Sequence, residues 1–133
     1  MTATIWDGLW PGQHPAPALG AGAVAASQEV RRQVLWEHCR NSLGIARLLV
    51  REGRSSGLIY TACHVAVEMA CRAALSVSGE PAVVAEVQAV LPADLRPPEG
   101  DFAASERLAA AERAVGWVAD YLRSAIPGPS WGF

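Results

Sequence analysis

The longest apolar pattern in the chain runs from residue 57 to residue 75 and reads GLIYTACHVAVEMACRAAL. At about 100° per residue, the spacing of an α-helix, its apolar side chains cover most of the helix circumference. One narrow polar stripe remains, formed by Thr61, His64, Glu68 and Arg72. A surface helix has the opposite proportions, with an apolar stripe on a polar cylinder. The pattern therefore predicts a central helix that other elements surround on most sides.

The segment before it predicts a long helix from Ser27, a good N-cap residue, to about Gly53. One apolar face is traced by Val30, Val34, Ile45 and Leu48 and widened by Leu35, Ala46 and Leu49, while Leu43 and Val50 lie to the other side. The apolar face of an amphipathic helix is normally the buried one. His38 and Asn41 interrupt this face at its middle. Because Gly44 costs about 1 kcal/mol relative to Ala inside a helix, we expect a second helix to cross closely there or the helix to bend.

The connection between these two helices is short and reads REGRSS over residues 51–56. Gly53 suits the left-handed position that follows a helix C-terminus. Ser55 or Ser56 can cap the helix that follows. So short a loop predicts that the two helices are antiparallel neighbours.

A third, shorter helix is predicted to begin at Glu80-Pro81, with Pro in its favoured first-turn position, and to end at Pro92. Its apolar side consists of Val83, Val84, Val87, Val90 and Leu91. The polar, Pro-rich segment PADLRPPEG then forms a loop over residues 92–100.

The last helix is predicted to run from Asp101, its expected N-cap, to about Ile126. Its core seam alternates steps of three and four and consists of Leu108, Ala111, Val115, Val118 and Leu122. Glu106, Arg113 and Asp120 recur every seven residues on the solvent side. Trp117 and Tyr121 form an i, i+4 aromatic pair outside the seam.

These elements predict an all-α fold, an up-and-down antiparallel four-helix bundle with three longer helices and one short helix. The bundle domain is expected over residues 26–126. Residues 1–25 form an irregular, Pro/Gly-rich N-terminal segment, and residues 127–133 form an irregular C-terminal tail. Trp6 and Trp10 are unusual in such a segment, and we expect them either to fold back over their own bundle or to dock on another subunit or protein. Together with Trp117 and Tyr121 they are the candidate interface residues.

Composition narrows the classes of function. Apolar residues make up 51% of the 133 residues, which is enough for a core, and the net charge of −2 gives no general attraction to nucleic acid or anionic membrane. The three cysteines stand in apolar helical contexts without metal-ligand spacing, which is typical of buried thiols in a cytoplasmic protein. No secretory signal and no uninterrupted membrane-spanning run are visible, so we predict a cytoplasmic protein without membrane contact.

The polar stripe of the central helix is the first candidate site. Glu68 stands four residues before Arg72, the favourable order for an ion pair, and the stripe either pairs internally or binds a ligand or partner. His38 and Asn41, on the neighbouring helix, are added to the candidate polar residues. A metal site would need at least three protein ligands, and the Glu-x-x-His repeats of di-iron bundles are absent. We therefore predict no metal and no cofactor.

Residues 46–75 resemble a pattern of the HEPN superfamily. The helix end "Ar-L-L-x-x-G" of that family is matched by Ala46, Leu48, Leu49 and Gly53. The Ala-rich helix that follows it, ending in "A-x-E-x-x-x-K-A-L-L", is resembled by Tyr60, Ala62, Ala66, Glu68, Arg72, Ala73 and Leu75, with Arg72 where Lys is usual. The segment ERLAAAERAVGWVADYL is similar to the family's last helix, so the resemblance covers roughly half of the chain.

The resemblance implies a helical bundle that often dimerises. Some members of the family are ribonucleases, commonly toxins, and others are non-catalytic partners of nucleotidyltransferases. The family's ribonucleases carry Arg, often Arg-Asn, followed by His four to six residues later, towards the last helices. Here no His follows residue 80; the only Arg–His spacings in range join Arg31 or Arg32 to His38 in the first helix, and Arg40-Asn41 has no His within six residues downstream. Catalysis is therefore not carried over.

The sequence thus predicts a non-catalytic HEPN-like interaction module. It is expected to form a homodimer and to bind a protein partner, for which a nucleotidyltransferase-type protein is one candidate. The first alternative is a HEPN-type ribonuclease that uses His38 or His64 with a nearby Arg. The second alternative is a metal- or small-ligand-binding helical bundle. Nucleic acid binding is the less favoured partner class, because the arginines are expected to be solvated surface residues.

Overall fold

The computed structural model describes residues 21–78, 89–97, 100 and 102–126 of the chain, and within these ranges the fold is all-α with no strand. Three α-helices are present there: α1 (Ala21–Arg51), α2 (Ser56–Leu75) and α3 (Ala104–Ala125). Two complete 3-10 turns, Ser76–Ser78 and Ala93–Leu95, lie between α2 and α3, and residues 89–90 are also in 3-10 conformation. The all-α prediction is confirmed.

The connection between α1 and α2 agrees with the sequence prediction in detail. Gly53 has a φ of 66°, its N–H donates to the carbonyl of Val50 at 3.1 Å, and the N–H of Arg54 donates to the carbonyl of Leu49 at 2.9 Å. These two bonds form a Schellman motif, which satisfies the last carbonyls of α1. Ser55 caps α2 by accepting a hydrogen bond from the N–H of Leu58 at 3.4 Å. The other end of α1 differs from the prediction, because the helix begins at Ala21 and not at Ser27.

Helix α2 occupies the centre of the described structure, as its apolar pattern predicts, and packs against both α1 and α3. Its buried side chains are small or β-branched, and they are Ile59, Cys63, Ala66, Val67, Ala70, Cys71, Ala73 and Ala74. Small side chains let neighbouring helices approach closely and fill the space between them at the density of a protein core. The helix is also long and apolar enough to cross a membrane, a test that the core helix of a globular protein passes as well.

The buried face of α1 is not the face that the sequence singles out. Four side chains of α1 are almost fully buried, and they are Trp36, Cys39, Leu43 and Ala46. The predicted apolar face points away from them, and its members are 63%, 63%, 53% and 43% exposed: Val30, Val34, Ile45 and Leu48. The expectation that this face enters the core is therefore wrong for these four members, whereas Ala46, which widens the face, is buried, and Leu35 and Leu49 pack against the core. Helix α1 is apolar on two opposite sides, and α2 and α3 cover only one of them.

Helix α3 follows its predicted seam. Ala111, Val115, Val118 and Leu122 are buried, Leu108 is half-buried against the core, and the solvent-side positions Glu106, Arg113 and Asp120 are exposed. The helix begins at Ala104 after an N-cap at Ala103, which has no side-chain cap bond. The predicted N-cap, Asp101, is therefore two residues early, and Asp101 itself lies outside the described residues.

The predicted short helix after residue 80 falls mainly on residues 79–88, which are outside the described part of the chain. Of its predicted apolar side, Leu91 is described and is almost fully buried in the core. Arg96 fixes this segment locally, because its Nε donates to the carbonyl of Leu91 at 3.2 Å. The structure therefore shows three long helices, and a fourth helix stays a prediction. Of the predicted irregular segment 1–25, residues 21–25 belong to α1 and residues 1–20 lie outside the described part of the chain, as does the predicted tail 127–133.

The same Gly-to-Ala substitution is expected to have opposite effects at two positions. A β-carbon at Gly44 would meet no atom within 4 Å, so a close helix crossing is not the reason for this glycine. Gly44→Ala is expected to raise the free energy of unfolding by about 0.5–1 kcal/mol, because alanine loses less backbone entropy in a helix. Gly53→Ala is expected to lower it by about 1 kcal/mol, because φ is positive there. Urea denaturation of both variants tests the pair, and a loss of stability in Gly44→Ala would contradict it.

Candidate functional site

The predicted polar stripe of α2 lies on the side of the helix turned away from the core. Thr61 and His64 are exposed, whereas Glu68 and Arg72 are half-buried. The hydroxyl of Thr61 donates to the carbonyl of Gly57 at 3.0 Å, within its own helix. The polar stripe is therefore present as predicted, but the Thr61 hydroxyl already donates its hydrogen bond within α2.

Glu68 and Arg72 form the predicted i, i+4 ion pair, with 3.9 Å between the Glu68 carboxylate and the Arg72 guanidinium. The Nε of Arg72 is buried and has no hydrogen-bond partner among the described residues. At this separation the pair is worth a few tenths of a kcal/mol and holds no group ready for chemistry. Internal pairing, one of the two interpretations of the stripe, is thus present for these two residues.

His64 belongs to an aromatic and cationic row that the sequence did not predict. Its ring stacks on Tyr60, with ring centroids 5.9 Å apart and an interplanar angle of 18°. The guanidinium carbon of Arg107, on α3, lies 4.6 Å from the centroid of the Tyr60 ring and 5.9 Å from that of Phe102. Such cation–π contacts are worth about 0.5–1 kcal/mol at exposed sites. The row joins α2 to α3 at the surface.

His38 and Asn41 are both exposed and stand on the outer side of α1, among its exposed apolar residues. Within the described residues, no hydrogen bond or ion pair joins either of them to the α2 stripe. The candidate polar residues of the two helices therefore do not form one site. We call the outer side of α1 the α1 outer face; its members are Val30, Val34, His38, Asn41, Ile45 and Leu48.

Arg32 is a buried residue whose role the sequence did not show. It is 8% exposed and lies on the core side of α1. Its Nε donates to the hydroxyl of Ser76 at 3.0 Å, and its terminal nitrogens reach the carbonyl of Ser76 at 3.3 Å and the carboxylate of Glu29. A buried charge needs such partners to offset its lost hydration. Arg32 therefore ties α1 to the C-terminal end of α2 and is part of the architecture.

The sequence predicts solvated surface arginines, and three of them, Arg40, Arg47 and Arg54, pair with carboxylates. Arg47 donates through Nε and a terminal nitrogen to one oxygen of Glu112 on α3, at 3.0 and 2.8 Å. Arg40 lies 3.3 Å from Glu37, and Arg54 lies 3.6 Å from Glu52. Pairing with carboxylates lowers the positive charge that these arginines could offer to phosphates.

The three thiols, Cys39, Cys63 and Cys71, are all buried. Burial raises the pKa of Cys39 and of Cys71 to about 12, from an ordinary value of 9.0, and burial raises the pKa of Cys63 as well. Since the thiolate is the nucleophile and the metal ligand, these groups are poor in both roles near neutral pH. They behave as small core residues, as predicted.

The described residues contain no group of three or more His, Cys, Asp and Glu side chains that could hold a metal ion. Among the candidate interface residues, Trp117 and Tyr121 stack with ring centroids 5.8 Å apart and an interplanar angle of 5°. Trp117 packs against the core, and Tyr121 is 40% exposed. Trp6 and Trp10 lie outside the described part of the chain.

Comparisons with protein-family models, with curated proteins and with solved structures find no match for this chain. The resemblance to HEPN proteins therefore stays a prediction from the motifs in residues 46–75 and from the similar last helix. The features available for a functional interpretation are those of the chain itself, namely the α1 outer face, the polar stripe of α2 and the Tyr60–Arg107 row.

Proposed function

We propose that this chain is a non-catalytic, HEPN-like helical interaction module that self-associates and also binds a protein partner. The observation that carries the proposal is the α1 outer face. Its four apolar side chains are 43–63% exposed along about five turns of one helix. Single exposed apolar residues are normal, but four of them aligned on one helix face, on either side of His38 and Asn41, are typical of a surface that another protein covers.

The polar features of the structure support a role in binding over a role in catalysis. His64 is stacked on Tyr60, and the nearest arginine in that row, Arg107, faces the tyrosine ring. General acid–base chemistry requires a group within hydrogen-bond reach of the reacting atom. Within the described residues, neither His38 nor His64 is joined by a hydrogen bond to an arginine or a carboxylate. The partner class that the HEPN resemblance implies is a nucleotidyltransferase-type protein. The row of His64, Tyr60 and Arg107 is a surface separate from the α1 outer face, and we propose it as the place where such a partner binds.

The double variant Val34→Glu/Ile45→Glu is expected to separate the proposed dimer. At micromolar concentration, multi-angle light scattering should give the wild type a mass of two chains of 14.0 kDa each, and the double variant the mass of one. The two charges would have to be desolvated in the contact, so we expect the dissociation constant to rise at least a hundredfold. Because both positions are exposed in the single chain, the variant should fold with an unchanged helical circular dichroism spectrum.

Tyr121→Glu is the comparison variant, because Tyr121 is also an exposed large side chain but belongs to the other candidate interface, on α3. If the α1 outer face forms the contact, Tyr121→Glu should leave the mass of the dimer unchanged. A monomeric wild-type protein would overturn the proposal, and loss of the dimer in Tyr121→Glu alone would move the contact to α3. Incubating the same preparations with RNA tests the ribonuclease alternative, and cleavage that is lost in His38→Ala or His64→Ala would replace the proposal.

A further inference from the structure

We infer that α1 pairs with α1 of a second copy in an antiparallel arrangement about a two-fold axis. The axis crosses the contact between the copies at the level of the midpoint between residues 39 and 40. This inference rests on the self-association proposed above and specifies its geometry. A contact between identical chains about a two-fold axis uses the same patch on both, so the patch must be complementary to itself. The α1 outer face meets this condition.

The α1 outer face has the same order of side-chain types from either end. Along the helix it reads apolar, apolar, polar, polar, apolar, apolar, and the residues are Val30, Val34, His38, Asn41, Ile45 and Leu48. The midpoint between Val34 and Ile45 is also the midpoint between His38 and Asn41. An antiparallel copy therefore sets Val34 opposite Ile45 and His38 opposite Asn41. Val30 then lies about one residue, or about 1.5 Å, from the position opposite Leu48.

Charge along one flank of this face supports the antiparallel arrangement. The row of residues 29, 33, 37, 40, 44, 47 and 51 follows the face at helical spacing. Its acidic residues, Glu29 and Glu37, are in the first half, and its basic residues, Arg40, Arg47 and Arg51, are in the second. Antiparallel pairing brings the acidic half of each copy beside the basic half of the other.

Two of the ion pairs expected between the copies are those of Glu37 with Arg40 and of Glu29 with Arg51. Glu37 and Arg40 are exposed and pair within one chain at 3.3 Å, and in the dimer each would also lie near the opposite residue of the second copy. Arg51 would lie within about one residue of the position opposite Glu29. In a parallel pair about a two-fold axis, this row would lie beside the opposite flank of the second copy, so these ion pairs would not form. The helix dipoles are also better matched when the two helices run in opposite directions.

Another occupant of the same face would be the N-terminal segment of the chain. Residues 1–20 include Trp6 and Trp10 and join α1 at Ala21, so their length allows them to reach the face. That segment has no repeat of the two-fold order that the face shows, and the observations therefore favour a second copy. The experiment below separates the two occupants.

Engineered cysteines can report the geometry because the three natural thiols are buried and their pKa values are raised. Full-length Val34→Cys and Ile45→Cys, carrying different tags, are co-expressed, and mild oxidation is followed on a non-reducing gel. In the antiparallel arrangement, residue 34 of one copy faces residue 45 of the other, whereas two residues 34 are eleven residues, or about 16 Å, apart along the axis. Disulfides require β-carbons within about 4.5 Å.

The mixed disulfide between Val34→Cys and Ile45→Cys should form at least fivefold more than either disulfide between identical variants. Predominant disulfides between identical variants would show a parallel pair and overturn the inference. A dimeric mass without any disulfide would overturn the geometry and leave self-association standing. A monomeric mass would overturn both, and slow alkylation of Val34→Cys in that monomer would identify the N-terminal segment as the occupant.

Discussion

Trp36→Ala is expected to lower the free energy of unfolding by about 3–5 kcal/mol, one of the largest effects for a single side chain of this protein. Trp36 is 1% exposed and is the largest fully buried side chain among the described residues. Its removal would cost the transfer free energy of the indole and leave a cavity between α1 and the central helix, because the surrounding helices relax only partly. Urea denaturation followed by circular dichroism measures the loss.

Val34→Ala is the control for Trp36→Ala, because Val34 lies two residues away on the same helix and is 63% exposed. Truncating this side chain should change the free energy of unfolding of the monomer by no more than about 0.5 kcal/mol. The monomer is obtained by dilution or by combining the substitution with Ile45→Glu. Equal losses in the two variants would mean that the outer and inner sides of α1 have been assigned the wrong way round.

The difference between α1 and the other two helices explains which parts of the fold could be predicted. Helix α2 is apolar on most sides, so any bundle must surround it. Helix α3 has a single apolar seam, so only one of its sides can face the core. Helix α1 offers two apolar sides, and the more regular one, with Val30 and Val34, is outside. The inner side contains Trp36 together with Arg32, whose charge hides a core position from a sequence pattern.

Several side chains that join the helices have partners that are distant in sequence. The buried Arg32 is stabilised because Ser76, 44 residues later, and the nearby Glu29 accept its hydrogen bonds. The Arg47–Glu112 pair joins positions 65 residues apart, and Arg107 reaches Tyr60 from another helix. Helical spacing predicts neighbours within one turn, as for Glu68 with Arg72 and Trp117 with Tyr121, but it carries no information on which helices meet. The local part of the candidate site was therefore predictable and the contacts between helices were not.

Ala70→Asp is expected to prevent stable folding at pH 7, because it places a carboxylate at a fully buried position of the central helix. An unpaired buried charge costs several kcal/mol, a large part of the total stability of a small domain. Ala70→Asn has nearly the same volume without the charge, so it should lose less, through overpacking and one buried amide. Urea denaturation of the two variants across pH 4–8 separates the charge from the volume.

The pH dependence gives the sharper test of Ala70→Asp. Burial raises the pKa of a carboxyl in the folded state above its unfolded value of about 3.9, so the folded state binds the proton more tightly. The free energy of unfolding of Ala70→Asp should therefore rise as pH falls from 7 towards 4, whereas that of Ala70→Asn should follow the wild type. Thr61→Asp, on the exposed stripe of the same helix, should behave as the wild type throughout. If Ala70→Asp were as stable as Thr61→Asp at pH 7, water would reach position 70, and α2 would not be the closely packed centre of the bundle.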